Sequence, residues 1–169
     1  MTEMSKAEVP RFLTQGTFTG KLATVKKDGS PHVVPVWFVL DDEDNIIFGT
    51  EISSVKGKNI LRDPRISICI DDQKPPFSFV TIHGTAKIYP RSKQKEVLEW
   101  ATKLAERYVG KKNAKTYVEV NSGEGATVLL ARIKPTKVIA EKDIVGKNYQ
   151  ITLRQQQQVK AKDFHSPER

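Results

Sequence analysis

Residues 49–65 read GTEISSVKGKNILRDPR. The stretch leaves an apolar run, Ile46-Ile47-Phe48, and leads through Pro64 into a second, Ile66-Ser67-Ile68-Cys69-Ile70. Both runs have the β-branched and aromatic make-up of strands. Between them stand two adjacent serines, Ser53 and Ser54, and four cations, Lys56, Lys58, Arg62 and Arg65. If Ser54 or its neighbour caps a helix running to Leu61, the first-turn amides near Lys56 point outward unpaired, and such an end attracts anions. Two readings compete: a solvated basic helix start, or the seat of a bound phosphate. Residue chemistry alone leaves both open.

Upstream, GKLATVKK and PHVVPVWFVL flank Asp28-Gly29-Ser30. Asp-Gly tolerates the positive φ of a tight hairpin, so 20–27 is expected to pair with 31–40. The second of these is apolar on both parities: Val34, Val36 and Phe38 against Val33, Trp37 and Val39. A strand of that kind is buried on both faces, or one face is covered by a ligand or a second subunit. Further upstream, Ser5 and Glu8 have capping-box spacing for a short helix over 5–13, with Pro10 better suited to a first turn.

Downstream, 65–71 and 77–89 read as strands, with Gly84 a candidate bulge. Val97, Ala101, Leu104, Ala105 and Tyr108 recur at helical spacing after Pro90 and Ser92, and Gly110 stops the helix. KKNAKTYVEVNSGEG is polar and reads as irregular. ATVLLARI (126–133) is a strand that PTKVIAEK (135–142) extends or pairs with. From Gly146 the apolar pattern dissolves into a Gln-rich tail, so the domain is expected over 1–145 and a polar tail over 146–169. The order predicts a mainly β protein with helices (α+β), five to seven antiparallel strands in a small closed or split barrel.

The chain has 169 residues, 38% of them hydrophobic and 28% charged, which suits one globular domain. A net charge of +8 favours anionic partners without choosing among them. One cysteine, Cys69, excludes an internal disulfide and reads as a small buried hydrophobe. His32, His83 and His165 lack the spacing of a metal pair. No run is long enough to cross a membrane as a helix and the start lacks a secretory h-region, so a cytoplasmic location is expected. A nucleic-acid-binding barrel is the weaker reading of the charge: the lysines gather at one strand–helix junction and in the tail, and the β faces lack interleaved Arg and aromatics.

The series LATVKKDGSPHVVPVWF (22–38), IIFGTEISSVKGKNILRDPRISICI (46–70) and VTIHGTAKI (80–88) resembles the split-barrel flavin family. That family contains pyridoxamine 5′-phosphate oxidase and the reductases that use the deazaflavin F420. The resemblance spans about 15–140 and implies a six-stranded Greek-key split barrel that forms a homodimer with cofactor grooves at its interface. It implies that Thr50, Ser54 and Lys56 hold the cofactor phosphate, with Lys58 and Asn59 one turn on and Gly49 also among the cofactor-binding residues. Pro35, Val36 and Trp37 fall where the strand runs beside the cofactor ring. Phe79 falls near the position from which the oxidase contacts its flavin with a glutamine. The oxidase's Arg-Lys phosphate grip is Val55-Lys56 here, and its Trp, Arg and His substrate segment has no counterpart. The pattern is therefore closer to the F420 branch, with FMN as the alternative cofactor. The implied activity is hydride transfer to or from a small organic substrate. The alternatives are an FMN-binding flavin reductase or a non-catalytic flavin or haem carrier. The substrate pocket would be shaped by 72–76 and 110–125.

Overall fold

The computed structural model describes residues 2–89, 94–122 and 128–145. The hairpin forms as β2 (Gly20–Val25) and β3 (Pro31–Val36), with Ala23 opposite Val33. Asp28 accepts hydrogen bonds from the amide and hydroxyl of Ser30, and Gly29 takes a φ of 84° that a side chain would resist. The expected strand 31–40 does not continue straight. It breaks at Trp37 and resumes as β4 (Phe38–Leu40), which pairs with β5 (Ile46–Glu51) rather than β2. Because β3 and β4 are the two ends of the strand path, this bend joins one edge of the sheet to the other.

The remaining strands are β6 (Arg65–Asp72), β7 (Ser78–Ile88) and β8 (Val128–Lys142), in the antiparallel order β3-β2-β6-β7-β8-β5-β4. A two-residue strand, β1 (Thr2–Glu3), adds to β8. The path thus has seven strands where six were expected, the seventh arising from the bend at Trp37. The fold is an antiparallel split barrel. The segments on either side of Lys134 form a single long β8. Pro135, which has no amide to donate, sits opposite Gly84 at a register shift where β8 carries one extra residue, Thr136. A Cβ at Gly84 would lie 2.3 Å from the Lys134 carbonyl oxygen, so the bulge requires glycine.

The barrel interior is filled by alternate residues of each strand, including Leu22, Phe38, Ile46, Phe48, Ile68, Ile70, Val80 and Ile133, all fully buried. Each contributes about 1.5–3 kcal/mol by leaving water. The register lays two rows of opposite-parity residues across the outer face. One runs Pro35, Lys21, Cys69, Thr81, Ile139 and the other Val33, Ala23, Ser67, His83, Lys137. Val33 is 62% exposed, so the two-faced apolar strand is covered on only one side by its own chain. Cys69 lies on this face, half-buried rather than in the core.

Four helices complete the chain. The helix α1 (Glu8–Thr14) starts later than the Ser5 cap predicts: the Ser5 amide and hydroxyl both donate to Glu8, and Pro10 falls in the first turn. Next comes α2 (Val55–Arg62), between β5 and β6. The long α3 (Gln94–Val109) packs Val97, Trp100 and Leu104 on Val39, Ile47 and Leu130, outside the barrel. Residues 111–122, read as irregular, are helical: α4 (Lys111–Ser122) lays Ala114 and Val118 on Ala101 and Ala105 of α3. The start of α3 at Pro90 and Ser92 and the tail over 146–169 lie outside the described residues.

Candidate functional site

The end of β5 turns into α2 as the opening stretch requires. Ser54 is the N-cap: its hydroxyl donates to the Glu51 carbonyl at 2.6 Å and accepts from the Gly57 amide at 3.1 Å. Two of the hydroxyl's hydrogen-bonding capacities are therefore used in holding the turn. Gly57 is buried against β5, and a Cβ there would stand 2.0 Å from the Glu51 carbonyl oxygen. This close approach seats the start of α2 on the end of the strand. Asp63 beyond α2 is drawn down to a pKa of about 2, chiefly by hydrogen bonds from the Arg65 side chain, and stays ionised.

A cavity of about 310 Å³ opens beside this junction. Pro35, Val36 and Trp37 form its wall at the bend, Gly49 and Thr50 its floor on β5, and Lys56 its cationic end on α2. Six of the residues singled out in the sequence thus meet, although they lie on three separate segments. Glu51, Leu104 and Tyr117 complete the lining. Tyr117 comes from α4, whose apolar stripe was too narrow to be read as a helix. Leu104 had been assigned to the α3 core, and it serves both.

The bend is held from α3. The Trp37 ring stacks on Tyr108 with centroids 4.8 Å apart and planes 1° from parallel, and it meets Tyr117 at 5.5 Å. The Tyr108 hydroxyl donates to the Phe18 carbonyl at 2.7 Å and accepts from the Phe38 amide at 3.2 Å. Arg107 donates to the carbonyls of Leu13, Gly16 and Phe38. Burial raises the Tyr108 pKa and lowers that of Arg107, so the phenol stays protonated and donates. Nothing in the sequence marks Arg107, because its partners are main-chain groups distant along the chain.

The other expected residues fall elsewhere. Lys58 and Asn59 line a separate cavity of about 690 Å³ with Lys26, Lys27 and Arg62. Asn59 is buried, and its amide donates to Thr24 Oγ1 at 3.0 Å, tying α2 to β2. Phe79 lies on β7 between Asp71 and Glu141, on the outer face and away from the cavity of its own chain. No group of metal-ligating side chains occurs among the described residues, and none of their helices is long and apolar enough to cross a membrane. The segment 110–125, expected as a loop shaping a pocket, contributes to the cavity through α4.

The class of protein is defined by a split barrel carrying a cleft with an aromatic wall at one end and a lysine at a helix start at the other. The chain belongs to the pyridoxamine 5′-phosphate oxidase family, whose model matches residues 6–140. It is 37% identical over 93 residues to a 5a,11a-dehydrotetracycline/5a,11a-dehydrooxytetracycline reductase of Streptomyces rimosus. That match covers 51% of this chain and 64% of the relative. A conserved hypothetical protein from Mycobacterium tuberculosis shares the fold with a TM-score of 0.70 and 26% identity, over 83% of this chain and 86% of the other. A structure described as an F420 reductase matches with a TM-score of 0.57 and 24% identity, over 75% and 92%.

Proposed function

We propose that the protein is an oxidoreductase that transfers hydride between F420 and a small organic substrate, with FMN the alternative cofactor, and that it works as a homodimer. The observation that carries this reading is the convergence of Pro35, Val36, Trp37, Gly49, Thr50 and Lys56 on one cavity. The donor set fits a phosphate-bearing flavin. Lys56 and the first-turn amides of α2 suit the phosphate, since a helix start and an ammonium both favour an anion. The strand at Pro35–Trp37 offers a flat apolar wall beside which a tricyclic ring can lie. The reductase name of the Streptomyces relative supports redox chemistry over simple carriage.

The cofactor, when bound, supplies the hydride chemistry itself. The chain's residues position and shield. Trp37, braced by Tyr108, and Tyr117 exclude water from the ring end, and Lys56 anchors the phosphate end without a part in proton transfer. Pro35 lines the cavity and also belongs to an outer-face row, so the cleft opens at the edge of that face. A second chain docked there would close it, and Phe79 would then face the partner's cleft.

The test is a fluorescence titration of purified protein with F420 and, separately, FMN, repeated with Lys56→Ala. Binding of F420 that weakens at least about tenfold in the variant is expected, from the loss of one charge-assisted hydrogen bond. A preference for FMN moves the protein to the flavin branch. Binding of neither returns 49–65 to a solvated basic helix.

A further inference from the structure

We propose that the cofactor cleft continues behind Gly49 into a small apolar pocket, and that this pocket takes a short, uncharged alkyl branch of the substrate. The inference rests on the reading of the cleft as a cofactor site and adds the class of substrate that meets the cofactor there. A cavity of about 60 Å³ lies between the α3–α4 pair and the strands β5 and β8. Gly49, Leu104 and Tyr117 line both this cavity and the cleft, so the two adjoin.

Strand alternation accounts for the passage. Ile47, Gly49 and Glu51 fall on one face of β5. Ile47 is buried beneath α3 and Glu51 lines the cleft, so Gly49 stands at the boundary. It carries no side chain to divide the two spaces. Opposite it on β8 is Leu130, part of the pocket wall.

The walls select the occupant. Val97 and Ala101, one turn apart on α3, face the pocket together with Val118 of α4, and all three are buried. Among the described residues no charged side chain lines it. Asn121 does, but its amide already donates to the Tyr117 carbonyl at 2.8 Å. An alkyl group therefore gains by entering, whereas an ionised group would lose its hydration and find no partner. Packed interiors leave few voids larger than a water, and this one stays open because α3 presents an alanine to it at 101. At about 30 Å³ for each water-sized group, the pocket holds about two carbons.

The test uses wild type, Ala101→Val, which fills the pocket, and Val97→Ala, which enlarges it. Neither residue lines the cleft, so F420 or FMN should bind all three proteins equally in a fluorescence titration. The loaded proteins are then titrated by calorimetry with cyclohex-2-enone and its 2-methyl, 2-ethyl and 2-butyl derivatives. In wild type, affinity should rise about fourfold per carbon as far as ethyl and fall for butyl. Ala101→Val should lose the gain from ethyl, and Val97→Ala should bind the butyl compound best. Xenon supplies a readout without cofactor: under pressure it should shift the methyl resonances of Val97, Val118 and Leu130 in wild type, and leave those of Val118 and Leu130 unmoved in Ala101→Val. Failure of either cofactor to bind, read before any enone is added, defeats the oxidoreductase reading and this one with it. With cofactor bound, equal affinity along the series, no enone binding, or the wild-type order of affinities in Ala101→Val overturns the pocket alone. Weaker cofactor binding in folded Ala101→Val, or no xenon shift in wild type, also overturns it.

Discussion

At the scale of single residues, the junction between β5 and α2 depends on an atom that is absent. Gly57 brings α2 within a distance of the Glu51 carbonyl that no side chain permits. In Gly57→Ala the helix must move off the strand, because backbone on both sides leaves nothing flexible to yield. The expected cost is about 2 kcal/mol, read as a melting temperature lower by roughly 4–8 °C. Cofactor affinity should fall by more than stability does, since Lys56 moves with the helix. Titration of the folded variant checks this, and unchanged affinity would separate the seat of the helix from the site. In the sequence Gly57 is one small residue in a basic run, and its role appears only when Glu51 is seen behind it. Ser54 was legible as a cap because capping is local chemistry. Arg107 was not, because its three carbonyl partners come from residues far away in the chain.

At the scale of elements, local pattern was a sound guide where one element decides its own form. The hairpin turn and the stripe of α3 are of this kind. It failed where a neighbour decides. The segment 111–122 has only Ala114 and Val118 to bury, too few to show a helical period, and it is a helix because Ala101 and Ala105 of α3 leave room for close packing. The strand 31–40 looked continuous because nothing in its apolar run shows that Tyr108 and Arg107 hold it bent at Trp37. The attachment of α1 is likewise set from outside. Glu8 pairs with Lys142 at the end of β8, and this hydrogen bond, followed by those from Ser5, draws its pKa to about 2. A carboxylate with a depressed pKa contributes stability that is fully present above its unfolded value, about 4.3, and lost as pH falls through the folded one. The clasp should therefore weaken between pH of about 4.3 and about 2. Glu8→Gln should flatten that part of the acid-unfolding curve followed by circular dichroism. A variant that unfolds along the wild-type curve would show that the pair contributes nothing.

At the scale of the whole molecule, the barrel and its family were legible from three sequence segments because strand order, hairpin and helix cap are written along the chain. The sequence offered only an excess, an apolar strand with more faces than one chain can cover. The structure gives that excess a location. Val33, Ala23 and Ser67 lie in one row and Cys69, Thr81 and Ile139 in the next, with little charge among them beyond Lys21, His83 and Lys137. A face with these small and apolar residues at its centre suits an interface of roughly 800 Å² per partner. Ser67→Arg places a cation in the middle of it, where burial in a dimer would leave the charge unpaired. The wild type is expected to elute at twice the 19.0 kDa chain mass, and the variant at the mass of one chain with its melting curve still cooperative. Because the cleft opens at the edge of this face, the monomeric variant should also bind cofactor at least about tenfold more weakly, having lost a wall rather than an anchor. Full affinity in a monomer would confine the cofactor to residues of one chain and return Phe79 and the outer face to simple packing. Loss of both dimer and affinity, with Lys56 untouched, would make the second subunit part of the site.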